Sequence, residues 1–533
     1  MSDTPQPSAF GAKQLEHFRA SKRRLPLHPL EKALLAVVAL HLCFLPWALG
    51  TMHAWSQATS LAFSVLGLGL ALISRTYSGD YALAVVGNQS PVNSQRSGNN
   101  PHVSGFRINP LPRLLRFPLF WIGLALLAYI AVQGFNPSWI WERNATSWWL
   151  RRVNDIPWLP TSIDTPFERF NVWRQFIIYA SAWLTVCTVW VGFTRRRSLQ
   201  VLLITVLVNA TLLAFVGFAH RIISPAGFLG LFDWRRGSSA FASFIYKNHA
   251  GAYFALAMSL AVALGIWFHL GGRQHEKKST PTGILFFAAL VLGAAAAASA
   301  SRGAVITSAF FLLTVALWYF VRRKLQPRSS GHNAVITVAV VLMFLGAIVG
   351  TIRYADFSAI RDRFEILLKD PGSTTEGRKM AYSAGSAMLA DSGLRGIGAG
   401  GFRHLFPEYI KRYPDVYQNG TLFWDHLHRD WLEIPIELGV AGSLLLIVGG
   451  GWWLWFFFRS NRPPASNSVQ TQVSVLRSPP SAIWHPLGMP LLLGCSQTLI
   501  HAWFDFPFQN PAILLTWLAL VTVSARWLEL DGA

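Results

Sequence analysis

Long apolar runs alternate with short polar segments along the 533 residues of this chain. Because a helix needs about 20 apolar residues to cross a bilayer, each run predicts a membrane-spanning helix. The predicted spans lie near residues 33–50, 55–74, 117–135, 174–193, 199–219, 250–270, 282–300, 304–321, 334–352, 436–458, 486–503 and 510–527. The pattern therefore predicts an all-α polytopic membrane protein with about twelve transmembrane helices.

Lysine and arginine predict the orientation of these spans, because loops rich in them remain in the cytoplasm. With twelve spans, the basic tracts all fall on one side of the membrane. The tracts that follow the basic N-terminus are Arg195–Arg197, Arg273 with Lys277 and Lys278, Arg322–Lys324, and Arg459 with Arg462. Both termini are then expected in the cytoplasm, and a large periplasmic loop is expected before the tenth helix.

The same alternation divides the chain into regions. These are a basic cytoplasmic N-terminus at 1–32, helices one to nine at 33–352, a periplasmic loop domain at 353–431, helices ten to twelve at 432–527 and a cytoplasmic tail at 528–533. Residues 463–481 are rich in Ser, Pro and Gln and lack apolar periodicity. That composition predicts a disordered cytoplasmic linker between helices ten and eleven.

Composition agrees with the membrane class, because only 13% of the residues are charged, whereas soluble proteins carry roughly 25%. The net charge of +21 could indicate a nucleic-acid partner. We expect none, since the basic residues mostly occupy tracts between spans, where they set orientation. Charged residues are nearly absent from span interiors, which opposes an ion-coupled transporter, because such proteins bury ionisable residues near the midplane.

Basic residues at the outer ends of spans are the first candidate chemistry. They are Arg221, Arg235, Arg236, Lys247, Arg302 and Arg378. Arg302 lies in a three-residue link between two spans, so its guanidinium must lie at the membrane surface. It is either a snorkelling interfacial arginine or part of an anion site, since arginine forks match phosphate oxygens. A membrane-embedded anion presented to this face is most simply a lipid diphosphate.

Two histidines and two carboxylates lie together in the sequence DHLHRD at residues 425–430, just before the tenth span. A structural role, a zinc site and a general base are all open. An HxH pattern alone is a weak metal signal, whereas an imidazole titrates near neutral pH and can accept a proton. The cysteines fall inside apolar spans and no Asp-x-Asp pair lies in an outer loop. We therefore expect neither a metal nor another cofactor.

Tryptophan is dense between residues 137 and 173. The six indoles are Trp139, Trp141, Trp148, Trp149, Trp158 and Trp173. They favour an interfacial aromatic belt, and stacking against sugar faces is the functional alternative.

Four short motifs follow one another on the predicted outer face. They are Phe244 to Tyr253 with Lys247-Asn248-His249, the turn Ser301-Arg302-Gly303, Gly377-Arg378 followed by glycines at 396, 398 and 400, and His428 to Gly439 with the sequence HRDWLEIPIELG. In this order they resemble the motifs of the O-antigen ligase and polymerase superfamily of bacterial envelope glycosyltransferases. The resemblance covers roughly residues 200–450. Tyr246 and Arg429 stand where that family has asparagine, and His426 is additional.

The resemblance implies a GT-C-like, inner-membrane enzyme that transfers a glycan from undecaprenyl diphosphate to an acceptor sugar hydroxyl on the periplasmic face without a metal. It also implies that arginines hold the diphosphate and that a histidine activates the acceptor. By motif position these are Arg302 and His428, and Asp430 could orient the histidine. Further substrate-binding residues are expected at Arg235, Arg236, Arg378, Lys247, Asn248 and His249, and spacing does not choose between Arg235 and Arg236.

The expected partners are the lipid membrane, the lipid-linked glycan donor, a glycan or lipid A-core acceptor and a chain-length regulator protein. A polysaccharide polymerase is favoured over a lipid A-core ligase, because the outer loop is large enough to form a groove for a long glycan. A transferase acting on serine or threonine of a protein is the third acceptor class. The competing function is a polytopic transporter or flippase for a lipid-linked or anionic substrate.

Overall fold

The computed structural model describes most of the chain outside its polar segments. The described residues are 27–77, 106–223, 227–228, 232–233, 240–274, 281–325, 371–417, 423–459 and 482–532. Arg235, Arg236, the predicted span at 334–352 and the predicted linker at 463–481 lie outside them.

Fifteen α-helices occupy these described ranges. They are α1 (Pro29–Trp47), α2 (Ala54–Leu72), α3 (Leu111–Leu115), α4 (Pro118–Phe135), α5 (Val172–Gly192), α6 (Arg196–Ile223), α7 (Lys247–Gln274), α8 (Thr282–Ala298), α9 (Arg302–Leu325), α10 (Pro371–Ser392), α11 (Phe402–Ile410), α12 (Pro414–Tyr417), α13 (Asp430–Arg459), α14 (Gly488–His501) and α15 (Pro511–Gly532). Short 3-10 turns lie at Leu49–Thr51, Ala482–Trp484 and Pro507–Gln509.

Nine of the described helices are long and apolar enough to cross a membrane. They are α1, α2, α4, α5, α6, α7, α9, α13 and α15. The predicted spans at 282–300 and 486–503 coincide with the shorter helices α8 and α14, of 17 and 14 residues. A polytopic, mostly helical membrane protein is thus confirmed, while the count of twelve spans and the GT-C-like arrangement stay predictions.

Three small sheets within the described residues were not part of the all-helical prediction. Their strands are β1 (Arg75–Tyr77), β2 (Phe106–Ile108), β3 (Pro137–Arg143), β4 (Trp148–Arg152), β5 (Ser162–Asp164), β6 (Gly227–Phe228) and β7 (Phe232–Asp233). β3 pairs antiparallel with β4 and parallel with β5. These strands have two to seven residues, and a search for runs of about 20 apolar residues overlooks such short elements.

The tryptophan-rich segment builds the largest of these sheets. The Asn144 carboxamide accepts hydrogen bonds from the backbone N–H groups of Thr146 and Ser147, which closes the turn between β3 and β4. Trp141 is buried, and the Arg169 guanidinium lies 4.9 Å from its ring centroid. Trp158, by contrast, is exposed. The tryptophans thus differ in burial, and both the aromatic-belt and the sugar-stacking interpretations stay predictions.

Helix α7 is the centre of the bundle, since every residue from His249 to Ile266 is buried. It packs against α8, α9 and α14. At its beginning, a Cβ added to Gly251 would lie only 2.6 Å from Cβ of Ser301, so a glycine is needed for α9 to approach. This close packing brings the first turns of α7 and α9 together.

A glycine-dependent kink joins α13 to the loop at residues 393–401. Gly439 has φ 65° and ψ −178°, which interrupts the helix. The interruption frees the carbonyl groups of Ile436 and Glu437, and these accept hydrogen bonds from Ile397 N–H and Gly398 N–H. Gly396 lies so close that an added Cβ would be 2.4 Å from Glu437 O. The two glycine-containing motifs are therefore two sides of one backbone contact.

The segment at 371–429 has its own apolar core, which we call the cap core. Ile163 of β5 and Ile436 of α13 join it, so the core ties the cap helices to the sheet and to the bundle. Its other buried members are Ala381, Ala384, Met388, Ile397, Phe402, Leu405, Phe406, Ile410, Val416 and Leu427.

Candidate functional site

The connection between α14 and α15, residues 501–510, is the point on which the predicted motifs converge. We call it the 501–510 turn. Asp505 in this turn is buried, with its Oδ1 3.5 Å from His428 Nδ1 and its Oδ2 3.7 Å from His501 Nε2. Burial raises the pKa of the Asp505 carboxyl, but the two histidines outweigh burial and hold that pKa well below its usual range. Asp505 is therefore an ionised carboxylate set between two imidazoles.

The backbone of His428 is fixed by its neighbours, whereas its side chain remains partly exposed. Its φ of 59° is unusual for a residue other than glycine. The Tyr382 hydroxyl donates to its carbonyl oxygen over 3.2 Å, and its ring meets the edge of Phe506 with centroids 4.8 Å apart. The side chain remains 24% exposed. With Nδ1 directed at Asp505, Nε2 is the nitrogen available to a substrate.

His426 differs from His428 because both of its ring nitrogens are engaged. Arginine can only donate, so Arg403 Nη2 donates to His426 Nε2 over 3.3 Å, and Nδ1 carries a proton that it donates to Glu433 Oε1 over 2.6 Å. The other Glu433 oxygen accepts from Leu427 N–H over 2.6 Å. Burial, and then the Arg403 charge, lower the pKa of His426. His426 thus holds the DHLHRD loop in place as a neutral side chain.

Asp430 does not face His428. Its Oδ2 accepts a hydrogen bond from Phe508 N–H over 2.9 Å, and its own N–H donates to Ala502 O over 3.0 Å. Asp430 therefore joins the first turn of α13 to the 501–510 turn. The carboxylate beside His428 is Asp505, not Asp430.

The Lys247-Asn248-His249 motif opens α7 against the same turn. His249 Nε2 lies 3.2 Å from Phe506 O. Asn248 Nδ2 donates to the Tyr246 hydroxyl over 2.6 Å, and the Tyr246 ring stacks on Phe506 with centroids 5.1 Å apart. Tyr246 stands where the related family has asparagine. Its ring thus supports Phe506, which also contacts His426 and His428.

The Ser301-Arg302-Gly303 turn reaches the site through its glycine. A Cβ added to Gly303 would lie 2.5 Å from His501 Nε2 and 2.8 Å from Phe504 Cε2. Arg302 is the first residue of α9 and is partly exposed. In the described ranges, no hydrogen bond or ion pair engages its guanidinium.

Arg378 of α10 approaches from the cap. Its Nη1 donates to Phe504 O over 3.4 Å. Among the described residues, no carboxylate forms an ion pair with Arg302, Arg378 or Arg429. Arg378 and Arg429 therefore contact the 501–510 turn without a carboxylate partner among the described residues, which favours an anionic ligand.

Sequence reasoning missed Asp505. The signal was present, because Asp505 is a carboxylate between two apolar runs in the sequence HAWFDFPFQNP. Ionisable residues at the membrane boundary are expensive to bury without a function. In the part of the chain that the structure describes, no group of three or more His, Cys, Asp or Glu side chains could hold a metal ion, and metal independence stays a prediction.

Comparison with known proteins identifies a related family for part of the chain. Residues 286–464 match the family model described as O-antigen ligase. None of the curated proteins matches the chain significantly. The matched region contains the Ser301-Arg302-Gly303 turn, Arg378 and the motif that begins at His428, whereas Lys247 to His249 and the 501–510 turn lie outside it. Residues 286–464 thus form a region similar to the O-antigen ligase family, and this match supports the resemblance of the chain to the O-antigen ligase and polymerase superfamily.

Proposed function

We propose that this protein is an inner-membrane glycosyltransferase that moves a glycan from undecaprenyl diphosphate to an acceptor sugar hydroxyl on the periplasmic face. One observation carries the proposal. The 501–510 turn brings together a histidine paired with a buried carboxylate and arginines that have no carboxylate partner among the described residues.

The arginines are suited to the donor. A diphosphate develops additional negative charge as the sugar leaves it, and positioned guanidinium groups stabilise that charge. The tight turn before α9 fixes the position of Arg302, and a hydrogen bond to Phe504 O fixes the position of Arg378. Arg235 or Arg236, and Lys247 with Asn248 and His249, remain proposed contacts to the same substrate. The described parts of these motifs lie against the 501–510 turn.

His428 is suited to the acceptor. Nε2 of His428 accepts the hydroxyl proton while the acceptor oxygen forms a bond to the anomeric carbon of the donor sugar. The bond from that carbon to the phosphate oxygen breaks, and undecaprenyl diphosphate departs with the electron pair. Asp505 keeps the proton of the neutral imidazole on Nδ1 and stabilises the imidazolium that forms. No atom or charge is left over, and no metal is required.

The acceptor class is the finer part of the proposal. We favour a polysaccharide polymerase, whose acceptor is a second lipid-linked glycan, over a lipid A-core ligase. The cap core joins the sheet β3–β5 through Ile163, and an ordered outer loop of this size supports a groove for a long glycan. A chain-length regulator protein would then be a natural partner.

Transfer with purified protein tests the proposal. The protein in lipid nanodiscs is given defined undecaprenyl-diphosphate-linked donors, and a second lipid-linked glycan, lipid A-core and a serine-containing peptide are offered in turn as acceptors. We expect glycan transfer to the lipid-linked glycan. Transfer to lipid A-core instead would keep the reaction class and reverse the choice of acceptor.

A matched variant distinguishes chemistry from contamination. His428→Ala should abolish most of the transfer, whereas His53→Ala, which removes an exposed histidine before α2, should not. Transfer with none of the acceptors, by protein that still binds the donor, would remove the enzymatic proposal and leave the transporter or flippase.

A further inference from the structure

Arg429 lies between the proposed base and the buried Asp430 in the sequence, and no carboxylate of the described residues neutralises its charge. Its guanidinium lies 4.5 Å from the centroid of the Trp503 ring and 5.4 Å from that of Tyr382. Aromatic faces orient a cation without removing its charge. Nε of Arg429 is buried without a hydrogen-bond partner, and no carboxylate in the described part of the chain pairs with the side chain. An unpaired donor of this kind is costly unless a ligand completes it.

The neighbourhood of Arg429 is apolar and faces outward. Trp503 is 57% exposed and Trp431 is 48% exposed, with ring centroids 6.3 Å apart. Trp431 is the second residue of α13, a helix apolar enough to span the membrane, and its Nε1 donates to Leu499 O over 2.9 Å. Exposed indoles at the end of a span belong to the headgroup level of a bilayer. The guanidinium therefore lies at the depth of lipid phosphates.

The same residues connect Arg429 to the proposed chemistry. Trp503 is part of the 501–510 turn, two residues before Asp505, and Arg378 donates to the carbonyl of the next residue, Phe504. A phosphate bound at Arg429 would thus lie beside the turn that positions His428.

We infer that Arg429 binds the diphosphate of the lipid-linked donor at the membrane-facing edge of the site, with Trp503 and Tyr382 holding the guanidinium in place. The inference rests on the proposed function. The related motif has asparagine at this position, so the arginine adds a positive charge at the lipid-facing side of this chain. It is a binding residue, and His428 remains the base.

Separate measurements of donor binding and turnover test the inference. Protein in nanodiscs is assayed for binding of undecaprenyl diphosphate itself and for the donor KM and kcat. Arg429→Gln should weaken binding and raise the donor KM by roughly 10- to 100-fold, the loss expected for hydrogen bonds to a charged group. The kcat at saturating donor should stay close to that of the wild type. Arg429→Lys should fall between the two, because it keeps charge and loses the planar fork.

Arg459→Gln is the matched control, because Arg459 lies 4.8 Å over the Trp455 ring at the other end of the same helix. It should bind donor like the wild type. Equal donor binding and KM in wild type and Arg429→Gln would overturn the inference and leave the proposed function intact. A change limited to binding of phosphatidylglycerol vesicles, with donor KM unchanged, would also overturn it. A wild-type protein that binds no undecaprenyl diphosphate would overturn both this inference and the proposed function.

Discussion

At the predicted cytoplasmic end of the helices, buried charges are paired. Glu31 is fully buried, and its two oxygens accept hydrogen bonds from the hydroxyl groups of Thr194 and Ser198, each over 2.6 Å. Arg75 completes the group as an ion pair with Glu31 at 3.3 Å. Nearby, buried Arg526 pairs with Glu529 at 2.6 Å and donates to Phe193 O. These contacts join the ends of α1, α5, α6 and α15.

At the opposite end, around the 501–510 turn, Arg403 pairs with Asp425 at 3.0 Å, but other arginines have no carboxylate partner among the described residues. Asp505 pairs with histidines, and Asp430 accepts a backbone N–H. Arg302, Arg378 and Arg429 have no carboxylate partner in the described residues. Charges that pair with one another serve the fold, whereas cations without a carboxylate partner have donors left for a ligand. The difference predicts a structural cluster at one end of the molecule and a binding site at the other.

The comparison predicts the largest effect at the base. Substitution of His428 by alanine should lower turnover by roughly 10²- to 10⁴-fold, the usual contribution of a general base, while donor binding persists. His426→Ala should be much milder, because both nitrogens of His426 are engaged by protein groups. Steady-state transfer assays on the two variants measure this. The reverse order would assign the base to His426.

The closed network predicts a loss of stability instead of activity. Glu31→Gln leaves Arg75 buried without a carboxylate, which should lower the free energy of unfolding by about 3 kcal/mol. Thermal melting in detergent measures the change, and the transfer rate per folded molecule should match that of the wild type. A Glu31→Gln protein that melts normally but transfers no glycan would break the distinction between the two ends.

The open cluster predicts that geometry matters as well as charge. Arg302→Lys keeps the charge and loses the bidentate fork, so transfer should fall by roughly 10²- to 10³-fold. Arg459→Lys, at the other end of the bundle, should have little effect. Near-wild-type transfer by Arg302→Ala would exclude Arg302 as a diphosphate ligand.

Asp505 should act through His428. Asp505→Asn keeps the size of the side chain and removes the charge that stabilises the imidazolium, so turnover should fall by about 10²-fold. The kcat should fall more than the donor KM rises, because Asp505 acts through the base. An unchanged kcat per folded molecule would mean that Asp505 only supports the fold.

Acid should destabilise the protein slightly through His426. The folded-state pKa of His426 lies below its ordinary value of 6.5, so below pH 6.5 the unfolded chain takes up a proton that the folded protein does not. The contribution of His426 to stability is therefore complete above that pH and decreases as the pH falls towards 5, by about 2 kcal/mol at most. Asp505 adds nothing in this range, because its depressed pKa affects stability only at lower pH. Melting temperatures at pH 7 and pH 5 measure the slope, which His426→Gln should reduce.

Nine of the predicted spans and the resemblance to the superfamily could be predicted from the sequence alone. Crossing a bilayer requires a length of apolar chain that a window of about 20 residues detects. The motifs at Arg302 and His428 consist of residues that are adjacent in the sequence. The strands β3–β5 were missed because they are only three to seven residues long and lie between much stronger apolar runs. Arg235 and Arg236 remain predictions outside the described residues.

The partner of each side chain was decided by the tertiary structure. His428 and Asp430 are two residues apart, yet Asp430 turns to Phe508, and Asp505, far along the chain, meets His428. Likewise, Gly396 in the loop at 393–401 and Gly439 in α13 could each be explained by a local turn. In the structure, both are required by one close backbone contact between them. The sequence determines which segments can enter a membrane, because the free energy of insertion is a sum over neighbouring residues. Pairing of charges depends on distances between helix ends, and those exist only once the helices have packed.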